Sequence, residues 1–490
     1  MQVSVIRKNI TFNPDPSRVI ARFLFTDDQR AINTIRFVLD MSENEASFTL
    51  KQTLRDYSMR HRNISKIFEK HFNRIAHLFS HLNVKPDAID YSTKILIGSY
   101  FTMEYSIESA AFFNPSIVEH PDQTEISPGS KRVIISFRAT GEGHISSIVF
   151  RTGILDKNNK LVLEPIGNML EEAEHIRRHT YNKKSFAHKL DEMQEVHGII
   201  PPALILDKLK EEFTYGELRI CIEESRKAIH LASNKEYLFN QIIWLASSHY
   251  ELQFSLDTNI SERVIFPVSA KEKNGIEDAR FVKFMDEDNK TKYYATYTAY
   301  DGITILPKLL ETEDFYHFKI MPLHGEIARN KGMALFPRKV NGKYAMLCRL
   351  DGFNNYIAFS DNITVWREAR MLQQPKYPWE VLQIGNCGSP IELEDGWLVI
   401  THGVGPMREY VLGAALFDLD NPEKELGRSK TPILIPNAEE REGYVPNVVY
   451  SCGSMVHNED LILPYAMSDY SSTYASVNLR ELLDELKNSK

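Results

Sequence analysis

The chain has 490 residues, of which 43% are hydrophobic and 25% charged, and its formal net charge is -8. This length is enough for two or three domains, or for one large repetitive domain with additions. A negative net charge argues against a broad surface for nucleic acid or anionic membranes, although it leaves room for a local cationic pocket. We therefore expect neither nucleic acid nor a membrane among its partners.

The sequence lacks the long apolar segments of signal peptides and membrane spans. Its four cysteines, Cys221, Cys348, Cys387 and Cys452, are far apart and show neither zinc-ligand nor disulfide-framework spacing. The sequence therefore predicts a soluble cytoplasmic protein with reduced cysteines and no metal site.

Residues 1–25 are predicted to form an extended arm that Pro14 and Pro16 interrupt. From residue 26 to 118 the pattern becomes helical, because apolar residues recur at spacings of three and four while proline and glycine are almost absent. The predicted helices are Ala31 to Leu39, Ala46 to Arg60, Ile64 to Leu82 and Ile95 to Phe113, the last ended by Asn114-Pro115.

The middle of the chain switches to strands and back to helices. Residues 119–165 are predicted to hold the first strands of the β fold, Arg132 to Phe137 and Ile145 to Arg151, joined by a flexible connection. Residues 166–248 are predicted to be a helical insertion without a glycine-rich phosphate loop. Its helices are Leu170 to Arg178, Ser185 to Val196, Leu204 to Glu212, Gly216 to Ser233 and Tyr237 to Ser248.

Residues 249–478 are predicted to be almost entirely β, with short strands rich in Val, Ile, Tyr and Phe. Turn signals such as Asn341-Gly342 and Asp351-Gly352 divide the strands. This regular spacing suits a β-propeller, and a β-sandwich fits the pattern nearly as well. Residues 479–490 are predicted to form a short amphipathic helix.

The first candidate for chemistry lies at a predicted strand entrance, where Glu277 and Asp278 are followed by Arg280. Successive side chains of a strand point to opposite faces, so Asp278 and Arg280 should share a face while Glu277 and Asp278 should not share a partner. Asp278 is therefore our candidate acid. Taken alone, however, the two carboxylates fit ordinary solvated turn residues better.

Basic side chains recur at the ends of other predicted strands, among them Lys331, Arg349 and His402. Individually, His402 fits a hydrogen-bonded structural histidine and Lys331 a solvated loop charge. Together they predict a cationic pocket opposite a carboxylate. An inverting phosphorylase needs one acid and basic groups that hold phosphate, whereas an inverting hydrolase needs a second carboxylate to activate water.

Several motifs, in order, resemble glycoside hydrolase family 130, the β-mannoside phosphorylases and β-mannosidases. They are Gly275-Ile276-Glu277-Asp278-Ala279-Arg280, Leu335-Phe336-Pro337, Gly396-Trp397 with His402-Gly403-Val404, Leu412-Gly413-Ala414-Ala415-Leu416, Arg428-Ser429-Lys430, and the run from Gly443 to Gly453. The resemblance covers most of the β region. It implies a five-bladed β-propeller, mainly β with added helical segments in the N-terminal half, and so favours a propeller over a sandwich.

The resemblance also implies roles for individual residues. Asp278 matches the general acid of the family, which delivers its proton through a sugar hydroxyl. The expected phosphate-binding residues are Lys331, Arg349, Gln383, His402 and Tyr410, and the expected sugar contacts are Glu142, His144, Arg280 and Asp351. Two positions depart from the phosphorylase pattern, which has arginine in place of Lys331 and lysine in place of Gln383.

We therefore expect inverting phosphorolysis of β-linked mannosides, which yields α-mannose 1-phosphate, with inorganic phosphate as co-substrate and no other cofactor. The alternatives are an inverting β-mannosidase, with Glu262 or Glu277 as base, and a non-catalytic glycan-binding propeller. The helical blocks are expected to cap the pocket or to mediate homo-oligomer formation.

Overall fold

The computed structural model describes residues 3–489 except 168, 177–179, 193–202, 229–235, 237, 238, 240, 241, 244, 247, 248, 268–271, 273 and 301–304. Its helices are α1 Asp28–Leu39, α2 Glu43–Tyr57, α3 Ile64–Ile75, α4 Tyr91–Tyr100, α5 Lys183–Glu192, α6 Ala203–Leu206, α7 Tyr215–Ala228 and α8 Leu479–Asn488. No helix among these residues combines the length and hydrophobicity needed to span a bilayer.

The strands dominate the structure. They are β1 Val5–Arg7, β2 Val19–Phe23, β3 Thr102–Ser106, β4 Ala111–Glu119, β5 Lys131–Thr140, β6 Ser146–Leu155, β7 Leu161–Leu163, β8 Glu171–Glu172, β9 Glu174–Ile176, β10 Thr180–Asn182, β11 Glu212–Thr214, β12 Tyr250–Gln253, β13 Arg263–Ile265, β14 Ile276–Met285, β15 Thr291–Tyr300, β16 Ile305–Thr312, β17 His317–Pro322, β18 Ala334–Leu335, β19 Tyr344–Cys348, β20 Asn355–Ser360, β21 Ala369–Gln373, β22 Gln383–Asn386, β23 Ile391–Leu393, β24 Gly396–Val404, β25 Tyr410–Phe417, β26 Glu425–Arg428, β27 Val449–Tyr450, β28 Met455–His457, β29 Asp460–Met467 and β30 Ser471–Asn478. The predicted mainly β fold class with added helices is therefore confirmed.

Five sheets share one plan, in which four strands pair antiparallel. Their orders are β4-β5-β6-β13, β14-β15-β16-β17, β18-β19-β20-β21, β22-β24-β25-β26 and β27-β29-β30-β1. The N-terminal strand β1 completes the fifth sheet, with Val5 opposite Val477. Within the predicted extended arm, residues 1–25, both β1 and β2 pair with later strands.

Each of these sheets contacts the next along the chain, and the fifth contacts the first through β4. An apolar core fills each of these junctions. Representative buried pairs of side chains, in order around the junctions, are Phe150 with Phe281, Tyr294 with Trp366, Leu347 with Trp397, Leu398 with Leu461, and Phe137 with Tyr474. Where both faces of a sheet are covered, as along β24, every residue of the strand is buried.

The three helices predicted first are confirmed as α1, α2 and α3. Side chains cap their N-termini where the sequence offers acceptors: Asp27 accepts from the backbone of Arg30, and Ser42 forms a capping box with Glu45. These helices pack with α4 around a core that includes Phe72.

The helix predicted for Ile95 to Phe113 is wrong beyond Tyr100, where α4 gives way to β3 and β4. Every residue from Ala111 to Val118 is buried, and a continuous apolar run does not distinguish a buried strand from a buried helix. The dipeptide Asn114-Pro115, taken as a helix terminator, instead lies at a register shift within β4.

The predicted helical insertion contains strands as well as helices. Its first predicted helix, Leu170 to Arg178, is wrong over the described residues, because β8 pairs with β13 and β9 with β12 at the outer edges of two sheets. The helix α7 matches the predicted Gly216 to Ser233, whereas most of the predicted Tyr237 to Ser248 lies outside the described residues.

Candidate active site

Asp278 lies in a β-bulge of the first strand of the second sheet. Two residues of β14, Asp278 and Ala279, oppose the single residue Tyr297 of β15. Asp278 adopts a left-handed backbone conformation with φ of 55°. This conformation is uncommon for residues other than glycine, and bulges of this kind often lie next to active sites, where they redirect a side chain.

The bulge brings Glu277 and Asp278 to one cation. Arg138 donates from Nη2 to Glu277 Oε1 at 2.7 Å and from Nη1 to Asp278 Oδ1 at 3.4 Å. The prediction that these carboxylates cannot share a partner is therefore wrong, because it assumed unbroken strand alternation. The prediction for Arg280 holds in part, since its Nη1 reaches only the backbone oxygen of Asp278, at 3.3 Å.

Two further side chains complete what we call the Asp278 cluster, consisting of Asn114, Arg138, Glu277, Asp278 and Lys331. Asn114 Nδ2 donates to Asp278 Oδ1 at 2.7 Å, and Lys331 Nζ donates to Glu277 Oε2 at 2.5 Å. Asn114 lies in the corresponding bulge of β4, again with a positive φ of 51°. Two neighbouring first strands thus supply the acid and its amide partner through the same local geometry.

The charges around Asp278 favour its ionised form. Burial acts to raise the pKa of Asp278, but the positive charges of Arg138, Arg280 and Lys331 outweigh it and hold the pKa below its usual value. The pKa of a second carboxyl group, that of Asp469, is shifted in the opposite direction. Burial, followed by the negative charge of Asp278, raises the pKa of Asp469 to about 6. The two acids therefore titrate far apart.

A second group, which we call the His402 cluster, consists of Arg349, Gln383, His402, Tyr410 and Tyr450. His402 Nδ1 lies 3.2 Å from the backbone oxygen of Asn386, so Nδ1 carries the hydrogen. Nε2 is then the acceptor for the Gln383 amide, at 2.8 Å.

His402 is buried and neutral. Burial, reinforced by the charges of Arg349 and Arg280, lowers the pKa of His402 to about 3. The histidine therefore adds no positive charge to the predicted cationic pocket. Its ring packs parallel to that of Tyr410 at 6.0 Å and edge-on to Tyr450 at 5.0 Å.

Arg280 joins the two clusters, because its Nη2 donates to Tyr450 Oη at 2.7 Å. Arg349 lies close enough to His402 to affect its titration, and the Arg349 Nε is buried without a hydrogen-bond partner among the described residues. An arginine left in this state is available for an anion, since guanidinium groups match carboxylate and phosphate oxygens.

Two glycines allow this packing. A Cβ on Gly275, whose φ is 128°, would lie 2.7 Å from Ser146 Oγ, just before the strand that carries Asp278. A Cβ on Gly385 would lie 2.6 Å from His402 Cε1. Either side chain would displace a neighbour of the site.

The predicted sugar contacts Glu142, His144 and Asp351 have partners outside the two clusters. Glu142 and His144 lie in an exposed turn between β5 and β6, where the His144 ring is 5.7 Å from Tyr444. The oxygens of Asp351 accept from the backbone and side chains of its own turn, and burial is outweighed by these bonds, which lower the pKa of Asp351 to about 2.

The two carboxylates considered as hydrolytic bases also have other partners. Glu262 caps its own turn by accepting from the backbone of Asn259 at 2.8 Å. Both oxygens of Glu277 are held in ion pairs with Arg138 and Lys331. Among the described residues, no group of three His, Cys, Asp or Glu side chains is placed to hold a metal ion.

The sequence interpretation missed four residues of the site: Asn114, Arg138, Tyr450 and Asp469. Arg138 directly follows a predicted apolar strand, and Asp469 follows the apolar segment that forms β29. A charged residue at the end of a buried strand was therefore a usable signal. Tyr450 lies within the run from Gly443 to Gly453 that carries the family resemblance.

The C-terminal half of the chain matches a known protein family. A family model, Glyco_hydro_130, described as beta-1,4-mannooligosaccharide phosphorylase, matches residues 229–488. This range includes Asp278 and the His402 cluster, whereas Asn114 and Arg138 lie outside it.

Curated relatives are also mannoside phosphorylases by name. A 1,2-beta-oligomannan phosphorylase from Thermoanaerobacter is 41% identical over 157 residues, which is 32% of this chain and 52% of that protein. The chain thus spans about half the length of this relative. A beta-1,2-mannobiose phosphorylase from Listeria innocua is 28% identical over 357 residues, which is 69% of this chain and 91% of that protein.

Among solved structures, the Listeria innocua beta-1,2-mannobiose phosphorylase in complex with beta-1,2-mannobiose is 22% identical, with a TM-score of 0.46. The match covers 79% of this chain and 94% of that one. Since the family model alone matches more than half of the sequence, the chain belongs to glycoside hydrolase family 130.

Proposed function

We propose that this chain catalyses the phosphorolysis of β-linked mannosides with inversion, releasing α-mannose 1-phosphate. The observation that carries the proposal is the combination of a part-buried acid, Asp278, with an arginine beside His402, Arg349, whose Nε has no hydrogen-bond partner among the described residues. Membership of the family and the names of the relatives support the same class of substrate.

We infer that the five sheets are the blades of a β-propeller. The contact of each sheet with the next, and of the fifth with the first, supports this arrangement. In such a fold the first strand of each blade lines the central channel. Asn114 on β4 and Asp278 on β14 would then face the substrate from neighbouring blades.

In the proposed reaction, a phosphate oxygen attacks C1 of the mannosyl unit from the α face while the bond from C1 to the glycosidic oxygen breaks. Asp278 supplies the proton that the leaving oxygen gains, through a sugar hydroxyl, and becomes a carboxylate. Phosphate is the nucleophile, so no second carboxylate is required.

Asp278 must be protonated before transfer, although its cationic neighbours favour the ionised form. Phosphate bound beside these cations would offset their charge and so raise the pKa of Asp278. Coupling of this kind would make the acid competent only when the nucleophile is present. It would also disfavour hydrolysis in the absence of phosphate.

We assign phosphate binding to Arg349, with Gln383, His402 and Tyr410 around it and Lys331 on the side of Glu277. The neutral imidazole of His402 would act by orienting the Gln383 amide and not as a cation. Lys331 would form ion pairs with both Glu277 and phosphate.

β-1,2-Linked mannosides are the first substrates to test, because both relatives described above are named for that linkage. A beta-1,4-mannooligosaccharide phosphorylase from Ruminococcus albus is also similar, at 31% identity over 170 residues. The β-1,4-linked mannobiose is therefore the matched comparison.

One observation favours hydrolysis as a second candidate. Asp469 has a pKa raised to about 6 and senses the charge of Asp278, so the site holds two carboxyl groups whose titrations differ. Such a pair is also what an inverting hydrolase uses, with one carboxyl as acid and the other as base.

Product analysis decides between the two. The full chain would be incubated with β-1,2- and β-1,4-mannobiose, each with and without phosphate. Phosphorolysis gives mannose 1-phosphate only when phosphate is present. Release of two mannose molecules at an equal rate in phosphate-free buffer would contradict the proposal and establish hydrolysis.

A further inference from the structure

A cavity of about 760 Å³ lies between the N-terminal helices and the outer edges of two sheets. The strand β2, the helix α3 with the turn before it, the strand β8 and the end of β12 line it. Its volume is in the range of cavities that hold small molecules. None of the residues of the Asp278 or His402 clusters lines it.

The cavity is remote from the candidate active site. Asp278 lies on β14, and β12 is the fifth strand of the same sheet in the order β14-β15-β16-β17-β12. Four spacings between neighbouring strands separate them, which corresponds to about 19 Å. A ligand in this cavity would therefore not touch the reacting atoms.

Positive charge predominates in the lining. Five basic side chains, Arg22, Arg62, Lys66, Lys70 and Arg74, face three carboxylates, Glu69, Glu171 and Glu172. Glu171 is already engaged, since its oxygens accept from the backbone and hydroxyl of Ser255. Arg62 forms an ion pair with Asp257, a residue that does not line the cavity.

Two of the arginines are held in place by aromatic rings. Arg22 Cζ lies 4.3 Å from the ring centre of Phe266, and Arg74 Cζ lies 3.8 Å from that of Phe23. Neither guanidinium donates a hydrogen bond to a residue that the structure describes. The aromatic contacts thus hold both groups in position and leave their N–H donors available.

Lys70, Glu172 and His71 also line the cavity, together with Glu69. Lys70 is exposed and makes no hydrogen bond within the described part of the chain. Burial raises the pKa of Glu172 more than the charges of Lys70, Arg22 and Arg74 lower it. His71 contributes no charge, because burial, together with Arg74 and Lys70, lowers its pKa to about 4.

We propose that this cavity is a second binding site for a phosphate monoester, in which Arg22, Arg74 and Lys70 hold the dianion. Two oriented guanidinium groups and one ammonium group match the oxygens of a phosphate. The same chemistry accommodates free phosphate or a sugar phosphate, and the volume leaves room for a sugar. The inference does not depend on the proposed phosphorolysis.

The test is calorimetric titration of the full chain with orthophosphate and with mannose 6-phosphate, in a phosphate-free buffer of low ionic strength. The variant Arg349→Gln weakens the proposed active-site binding of phosphate, so the tighter binding that remains is expected to be that of the cavity. In that background, Arg74→Gln and Lys70→Gln should each weaken binding about ten- to a hundredfold, because each removes a charged hydrogen bond.

Lys70→Gln safeguards the test if Arg74→Gln disturbs folding, since Lys70 is exposed and stacks on no ring within this lining. The exposed Arg30→Gln on α1 is the matched control and should leave binding unchanged. Tighter binding of mannose 6-phosphate than of orthophosphate would identify a sugar phosphate as the ligand, and equal binding would identify free phosphate. Absence of binding to Arg349→Gln, or binding that Lys70→Gln leaves unchanged, would overturn the proposal.

Discussion

Glu277 and Asp278 accept hydrogen bonds from the same guanidinium, that of Arg138, at 2.7 and 3.4 Å. Adjacent carboxylates of a regular strand would point apart, and the bulge at Asp278 allows them to converge. The shared cation keeps two neighbouring negative charges close together in a buried setting. The positive charge of Arg138 also lowers the pKa of Asp278, so the protonation of this carboxylate depends on the charges around it.

The first prediction concerns Asp278→Asn, which removes the proposed proton donor and keeps the shape of the side chain. We expect the rate of phosphorolysis to fall by about 10²–10⁴, the usual contribution of a general acid. Initial rates with β-1,2-mannobiose and phosphate measure the change. The exposed Asp361→Asn is the matched control and should keep full activity. If the protein binds glycans without catalysis, neither the original chain nor Asp278→Asn would show turnover.

The second prediction concerns Arg349→Gln, which removes a cation whose Nε has no partner among the described residues. We expect the KM for phosphate to rise about ten- to a hundredfold, because a hydrogen bond to a charged group contributes about 1.5–3 kcal/mol. The KM for the mannoside should change little. The exposed Arg370→Gln serves as the control. An unchanged KM for phosphate would remove Arg349 from the phosphate site.

The third prediction uses Gln383, where the phosphorylase pattern of the family has lysine. Gln383→Lys adds a positive charge beside His402 and should lower the KM for phosphate about three- to tenfold, or roughly 0.7–1.4 kcal/mol. Gln383→Met has similar length but adds no charge, and it also removes the hydrogen bond to His402. We expect a higher KM for this variant. A rise in the KM of both variants would show that the amide, and not charge, is needed here.

The fourth prediction concerns the stability contributed by Asp469. Its pKa is raised to about 6 in the folded chain, chiefly by burial and then by Asp278, so the folded state binds this proton more tightly than the unfolded state. The free energy of unfolding should therefore fall as the pH rises from about 4 to 6, by at most about 3 kcal/mol from this group.

Asp469→Asn should abolish this fall and be more stable than the original chain at pH 7.5, with little difference at pH 4. Urea unfolding of both proteins at the two pH values measures the effect. Equal stability at pH 7.5 would contradict the raised pKa of Asp469. The exposed Asp361→Asn again provides the comparison.

The sequence by itself determined the β-rich character of residues 249–478 and the first three helices, and it pointed to Asp278 as the candidate acid. These depend on local signals: residue spacing, capping side chains, turn dipeptides such as Asn341-Gly342 with positive φ at both positions, and a motif of adjacent residues. Local conformation depends on neighbours in sequence, so such signals can be recognised without knowledge of the tertiary structure.

Only the tertiary structure decided the partners of Asp278. Arg138 and Asn114 lie 140 and 164 residues away in sequence, and a bulge that no composition rule predicts turns the acid toward them. Burial likewise decided that His402 is neutral and not cationic, because desolvation depends on atoms from distant strands. The sequence thus pointed to the candidate acid, and the packing of separate sheets determined its charge and its neighbours.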